Sequence, residues 1–324
     1  MGHGVCRELV MEDVRCKMSD VRCKTMKKIL LFGMAVLLSA CEKPIMDGVD
    51  GNDNNADNNV ILTFSPYQQV DFTTRASRRT VASLTDQCSR LSVAVFDEDD
   101  AKVGSTKSFK STDANFGTVN LSLPEGTYTV VAIAHNSTEG NATITSPTKV
   151  TFPSNKMTDT FCYCGELVVD GDGINEELQM QRVVAMMRLT LTDEQIPDNV
   201  ARLKFYYTGG SSTLNPRTGY GCVNSKQTEY RSVIGDDGQP VKVYEIYTAP
   251  HEQNDILKLT ITSQDADNSV ISEFSPMENI PVTRNKITTW EGSLFGGSNG
   301  GSSSSGGIGL TLDTAWDGTI NYTW

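Results

Sequence analysis

The residues of this sequence that could act as acids, bases, nucleophiles or metal ligands are few and widely separated. Beyond position 41 there are two histidines, His135 and His251, in different halves of the chain. A histidine-based triad or a zinc site needs several such groups at defined positions, and neither residue lies in such a motif. Cys162 and Cys164 would share one face of a strand, but no further ligand follows at metal-site spacing. The sequence therefore predicts no enzyme, no catalytic residue and no metal site.

Three short strings match known motifs without the context that those motifs require. Residues 296–300 fit the Gly-x-Ser-x-Gly pattern of a nucleophile elbow, yet they lie in Gly/Ser-rich sequence with no strand-to-helix transition. Residues 50–53 and 170–173 begin like calcium loops but lack the ligand spacing and the closing Glu. All three are better interpreted as connectors or turns.

Cys41 stands in a motif that predicts covalent modification. Two lysines after Met26 precede an apolar run at 29–38, and Leu-Ser-Ala-Cys follows at 38–41. This order is typical of a signal peptide, and the apolar run is about half of the ~20 residues that a membrane span needs. The last four residues resemble the bacterial lipobox, whose cysteine receives lipid and becomes the new N-terminus. We expect a signal peptide over 1–40, with 1–25 as an over-extended start, and lipid on Cys41 without any other cofactor.

The charge balance limits the possible partners. The chain has a formal net charge of −12. Residues 1–40 hold 7 of the 28 Lys/Arg and 4 of the 40 Asp/Glu, so the remainder carries 21 basic and 36 acidic residues, a net charge near −15. Such a surface repels nucleic acid. Four cysteines besides Cys41 remain, at 88, 162, 164 and 222, too few for a disulfide-scaffolded protein, and no pairing is selected.

Short β-type runs separated by turns dominate the sequence after a polar segment at 41–59, which we interpret as a flexible tether. Apolar residues alternate within many runs, which predicts strands packed on a core. The sequence thus predicts an all-β fold with two β-sandwich domains, over 60–175 and 176–324. The predicted strands lie at 60–64, 91–96, 102–109, 116–123, 127–134, 149–152, 183–191, 200–207, 241–247, 256–262, 270–274 and 287–295.

Two further segments have open interpretations. A Gly/Ser-rich connector at 296–307 leads to a final alternating segment at 308–324, which could close its own domain or pair with another chain. Arg75 and Arg79 lie in a polar stretch after the first strand. A trypsin-like protease could cut there, although an ordinary basic loop is the simpler interpretation.

Four strings, together with the lipobox, resemble the fimbrillin-associated anchor family, the minor fimbrial subunits of Bacteroidetes. They are LSVAVFD at 91–97, LPEGTYTVVAIAHN at 123–136, RVVAMMRLTLTD at 182–193 and FYYTGGSSTLN at 205–215. The resemblance implies two tandem transthyretin-like β-sandwich domains on the outer face of the outer membrane. In related polymerising fimbrillins, an arginine-specific protease removes the first strand, and another subunit's C-terminal strand fills the groove.

The resemblance implies that mechanism only in part, because cutting at Arg75 or Arg79 would separate the folded body from its lipid. We therefore predict a non-catalytic outer-membrane lipoprotein that acts as a fimbrial anchor or minor subunit. Its partners would be other fimbrial subunits, joined through strand complementation in which residues 308–324 are the donor. The alternative is a surface glycan- or ligand-binding lipoprotein. Exposed Trp and Tyr on one face would favour it, and the tryptophans are Trp290, Trp316 and Trp324.

Overall fold

The computed structural model describes residues 58–67, 83–296, 316 and 319–321. These residues form twenty strands, one short helix and one 3-10 turn. The strands of the first half are β1 (Asn58–Pro66), β2 (Arg90–Phe96), β3 (Lys102–Lys110), β4 (Thr118–Leu123), β5 (Gly126–His135), β6 (Thr143–Ser146), β7 (Lys149–Thr151), β8 (Thr160–Val169) and β9 (Ile174–Arg182); the helix α1 is Leu84–Gln87 and the 3-10 turn is Pro153–Asn155.

The remaining strands follow without a helix among the described residues. They are β10 (Ala185–Leu191), β11 (Arg202–Thr208), β12 (Thr213–Asn215), β13 (Tyr220–Gly221), β14 (Lys226–Ser232), β15 (Val243–Thr248), β16 (Ile256–Gln264), β17 (Val270–Glu273), β18 (Met277–Pro281), β19 (Ile287–Gly292) and β20 (Thr319–Asn321).

The first half of the described chain builds a seven-stranded sheet in the order β3-β2-β5-β8-β9-β1-β4. Alternate side chains of these strands point to the same side of the sheet, and the apolar ones pack together as one core. The acidic residues 97–100 form the tip of the β2–β3 hairpin. There Asp97 Oδ1 accepts hydrogen bonds from the backbone N–H of Asp99 and Ala101 at 3.0 and 2.8 Å.

The second half packs two sheets face to face. One has the order β15-β10-β19-β20 and the other β14-β11-β16-β17, with β18 beside β16. A second core lies between them, and its largest fully buried side chains include Phe205 and Tyr207. Sheets packed through alternating apolar faces are the arrangement of a β-sandwich, so the predicted all-β sandwich fold is confirmed.

A third apolar cluster joins residues from both halves. A small sheet, β13-β12-β7-β6, contributes Val150 and Leu214 to it, and strands of both larger sheets add Phe96, Ile133 and Met186. Residues 170–173 form the turn between β8 and β9, two strands of one sheet. The division into domains at residue 175 stays a prediction.

Candidate functional site

The first strand lies inside its sheet. β1 pairs antiparallel with β4 over six residues and parallel with β9 over seven. Its alternate side chains Val60, Leu62 and Phe64 are 0%, 0% and 3% exposed and belong to the first core. Both edges of the strand are therefore paired, and its inner face is fully buried.

The contribution of β1 to stability is large relative to that of a whole domain. Burying one large apolar side chain contributes ~1.5–3 kcal/mol, so these three side chains together contribute roughly 5–9 kcal/mol. A typical domain is stable by only about 5–15 kcal/mol. Loss of β1 would leave an open apolar groove with unpaired backbone on two sides, and only another strand could replace both kinds of contact.

The predicted modification sites lie outside the described residues. Arg75 and Arg79 fall in the segment between Tyr67 and Ser83, and Cys41 precedes β1. Lipidation and proteolytic processing therefore stay predictions. The chain resumes at Ser83 and forms α1, whose Leu84 is buried in the same core as β1.

The start of the C-terminal segment is held by one carboxylate. Asp193 accepts hydrogen bonds from the backbone N–H groups of Leu294, Phe295 and Gly296 at 2.7–2.8 Å, and from the Ser293 hydroxyl at 2.5 Å. Burial alone would raise the pKa of Asp193, but these four donors outweigh it and hold the pKa below its usual value. The position at which the Gly/Ser-rich connector leaves the body is thus fixed.

Beyond the connector, Trp316 packs on the guanidinium group of Arg182. Trp316 is 8% exposed, and the guanidinium carbon of Arg182 lies 4.1 Å from its ring centroid. A second ring contact is with Phe161, at 4.6 Å. A bidentate ion pair with Asp159, at 2.7 and 2.8 Å, fixes the position of the guanidinium beside the two rings. Cation–π contacts of this kind contribute about 0.5–2 kcal/mol each.

The last described strand adds to the edge of a sheet of the same chain. β20 runs parallel to β19 at the edge of the β15-β10-β19-β20 sheet and pairs over three residues, from Thr319 opposite Ile287 to Asn321 opposite Thr289. Of the two arrangements that the sequence left open, the structure shows pairing within the chain. β20 thus pairs over only three residues on one side, whereas β1 pairs over six residues on one side and seven on the other.

The residues that could have carried acid–base or thiol chemistry are not brought together. His135 is buried against Phe152, and neither ring nitrogen has a hydrogen-bond partner in the described structure. Burial, with a smaller effect of Arg90, lowers the pKa of His135 to about 4. Burial raises the pKa of the Cys162 thiol, and that of Cys164 as well. Within the described ranges, no group of three His, Cys, Asp or Glu side chains could hold a metal ion.

Sequence reasoning did not assign the contacts of Asp159 and Asp193. Asp159 and its partner Arg182 are 23 residues apart, and Asp193 binds backbone about a hundred residues away. Neither spacing belongs to a local motif. Trp316, one of the tryptophans that an exposed glycan-binding face would need, is buried in the structure.

Residues 52–324 match the model of DUF6562, a family of unknown function. The chain belongs to this family. No curated protein matches it. The resemblance to the fimbrillin-associated anchor family stays a prediction, because the matching family model is a different one. No helix among the described residues is long and apolar enough to cross a membrane.

Several solved structures of candidate adhesins and fimbrial proteins resemble the chain at low identity. A candidate adhesin from Bacteroides ovatus is 14% identical, with 67% of this chain and 77% of that chain covered, at a TM-score of 0.44. A second candidate adhesin from Bacteroides ovatus has the same identity and TM-score, with 86% and 98% covered. The fimbrial anchor protein Mfa2 from Porphyromonas gingivalis is 13% identical, with 67% and 81% covered, at a TM-score of 0.34. Likenesses this distant do not establish a shared function.

Proposed function

We propose that this protein is a non-catalytic outer-membrane lipoprotein, attached through Cys41, that serves as an anchor or minor structural subunit of a fimbria. It would join the next subunit by donating its C-terminal strand. The observation that carries the proposal is the contrast between two strands: β1 is paired on both sides and buried, whereas β20 has a three-residue ladder at a sheet edge.

The closed position of β1 makes the chain unsuitable as an acceptor. A donated strand would have to displace β1 and recover its thirteen backbone pairings and the burial of Val60, Leu62 and Phe64. Without a cut at Arg75 or Arg79, β1 stays covalently joined to the body and competes at high effective concentration. An uncut chain therefore occupies the end of an assembly.

The C-terminal strand has the properties of a donor. Releasing β20 breaks three residue pairings at one edge, and the backbone hydrogen bonds can be remade in the groove of another subunit. The segment would also have to withdraw Trp316 from Arg182. Its attachment point at Gly296 would stay in place, because Asp193 holds that residue.

The proposed lipid at Cys41 would sit a short distance from the body. The predicted tether at 41–59 overlaps β1, which begins at Asn58; residues 41–57 can span at most about 60 Å when fully extended. The polar composition of the tether cannot support a packed core of its own. The body would therefore stand clear of the membrane while remaining attached to it.

The first test is intact-mass and N-terminal analysis of the protein extracted with detergent from native outer membranes. We expect a triacylated N-terminus at Cys41 on a chain that is uncut at Arg75 and Arg79. A soluble form that begins at Ala76 or Thr80, recovered from sheared surface fibres, would contradict an anchor. It would instead indicate a polymerising subunit with an open groove.

The second test separates donation from processing. Deleting residues 308–324 should abolish attachment of the next subunit while the body retains its cooperative unfolding transition. As a matched control, the double variant Arg75→Ala, Arg79→Ala should assemble normally, because an anchor needs no cut there. Normal fibres on cells with the deletion, or loss of fibres in the double variant, would refute strand donation by an uncut anchor.

A further inference from the structure

The outward face of the β14-β11-β16 strands combines exposed aromatic rings with an excess of positive charge. Along β11 the residues alternate strictly: Leu203, Phe205 and Tyr207 enter the second core, so the residues between them face outward. The register places β14 and β16 on either side of β11. The residues on this side of the three strands are Arg202, Lys204, Tyr206, Thr208, Lys226, Thr228, Tyr230, Ser232, Ile256, Lys258, Thr260, Thr262 and Gln264, of which Thr262 and Gln264 are buried.

Two exposed tyrosines occupy neighbouring strands on this face. Tyr206 is 38% exposed and Tyr230 is 50% exposed. Tyr206 pairs with Thr228 and Lys204 pairs with Tyr230, so the two tyrosines are diagonal neighbours, about 7–8 Å apart. The guanidinium of Arg202 stacks on Tyr230 at 4.5 Å and donates to Gln264 Oε1 at 2.9 Å. The rings thus form a supported platform on the surface of the sheet.

The charge on this face opposes that of the chain. The outward positions of the three strands hold Arg202, Lys204, Lys226 and Lys258, and no Asp or Glu. Glu273 of β17 lies on the same face opposite Thr262, and Glu278 of β18 pairs with Lys258. Arg202, Lys204 and Lys226 form no ion pair within the described structure, so the face keeps an excess of positive charge. The chain as a whole has a net charge of −12. Because fields are screened over about 8 Å at physiological salt, this face attracts anions despite the acidic remainder.

We propose that this face, which we call the tyrosine platform, binds an anionic polysaccharide whose sugar rings carry carboxylate or sulfate groups. The apolar face of a pyranose ring packs on an aromatic ring, and Tyr presents both an apolar body and a polar tip. Neighbouring sugars would lie on Tyr206 and Tyr230, while their acidic groups pair with Lys204 and Lys226. The hydroxyls of Thr228 and Thr260, which flank Tyr206 on the two neighbouring strands, supply hydrogen bonds. This binding is independent of lipidation and of strand donation.

The test measures retention of the full chain on immobilised chondroitin sulfate and polygalacturonate, with neutral dextran as the control matrix. We expect retention on at least one anionic matrix and none on dextran. Tyr206→Ala and Tyr230→Ala should each weaken binding at least tenfold, and Lys204→Glu should weaken it by a similar factor. Matched controls are Tyr67→Ala, which removes an exposed tyrosine elsewhere, and Lys107→Glu, which reverses an exposed charge on β3. Neither control should change retention.

The matrices and variants also identify which chemical group of the ligand is responsible for any binding. Retention on chondroitin sulfate alone assigns a sulfated ligand, and retention on polygalacturonate alone assigns a uronic acid. Binding that survives both tyrosine substitutions would be simple ion exchange and would overturn the proposal. Equal retention on dextran, tighter binding to single-stranded DNA or anionic vesicles, or no retention at all would overturn it too. None of these outcomes bears on the anchor function, which the cell-surface experiments test separately.

Discussion

Replacing Trp316 with Ala should release the C-terminal segment from the body. The indole ring is 8% exposed and packs on Arg182 at 4.1 Å and Tyr247 at 6.5 Å. A buried Trp removes about 150–250 Å² from water, which at ~25 cal/mol per Å² contributes roughly 4–6 kcal/mol as an upper limit. Measured Trp→Ala losses in cores are about 3–5 kcal/mol.

The three-residue ladder of β20 cannot offset that loss. A loss of ~3–5 kcal/mol raises the detached population at least about 100-fold. Hydrogen exchange followed by mass spectrometry measures this directly, because local opening exposes amides without unfolding the body. In Trp316→Ala, the amides of β20 (Thr319–Asn321) should exchange at least about 100-fold faster, while peptides from β10 stay protected.

The matched control is Trp290→Ala, since Trp290 is 6% exposed in the core of the second half. This variant should lower the stability of the whole body and should not open the terminal segment selectively. Unchanged exchange at β20 in Trp316→Ala would show that the Arg182 contact does not hold the segment. A uniform loss of protection in both variants would show that the segment is part of the body's cooperative unit.

Three further predictions concern the body. Leu62→Ala in β1 should lower the free energy of unfolding by about 2–5 kcal/mol in urea titrations, because Leu62 is fully buried; a loss below about 1 kcal/mol would contradict its place in the core. The folded pKa of His135 is about 4, below the unfolded value near 6.5, so the unfolded state binds the proton first as pH falls. Stability should decrease by about 2 kcal/mol between pH 7 and 5, and His135→Phe should remove this contribution; an identical pH dependence in the variant would refute it. Tyr207→Phe should cost about 1–3 kcal/mol, because the hydroxyl bonds the buried Glu229 at 2.7 Å, and a neutral result in thermal unfolding would argue against that bond.

Most strands with alternating apolar residues were predictable from the sequence. The predicted runs at 91–96 and 102–109 correspond to β2 (Arg90–Phe96) and β3 (Lys102–Lys110). β14 was missed because its inward side chains are Gln227 and Glu229, which give no apolar alternation. They are tolerated in the core because both bond the Tyr207 hydroxyl. Gln227 Nε2 has no hydrogen-bond partner. If the side-chain amide is rotated by half a turn, Nε2 donates to the Tyr207 hydroxyl, which then donates to Glu229.

The candidate site was less predictable than the fold. The sequence indicated a first strand near residue 60 and a terminal strand. The alternation of apolar residues, however, does not show which strands pair with each other. The parallel pairing of β1 with β9 joins residues more than a hundred positions apart, and β9 was itself missed because its exposed face is polar and acidic. The tyrosine platform likewise depends on register, since Tyr206 and Tyr230 become neighbours only through the pairing of β11 with β14.

The hydrogen bonds to Asp193 have a mechanical consequence. If the terminal segment carries tension between the membrane and a fibre, the pull enters the body at Gly296. There it meets four hydrogen bonds converging on one carboxylate, together with Lys242, which bonds the Asp193 backbone carbonyl. These bonds must break before β19 can be peeled from β10, so the pull is resisted at Asp193 before it reaches the sheet of the sandwich.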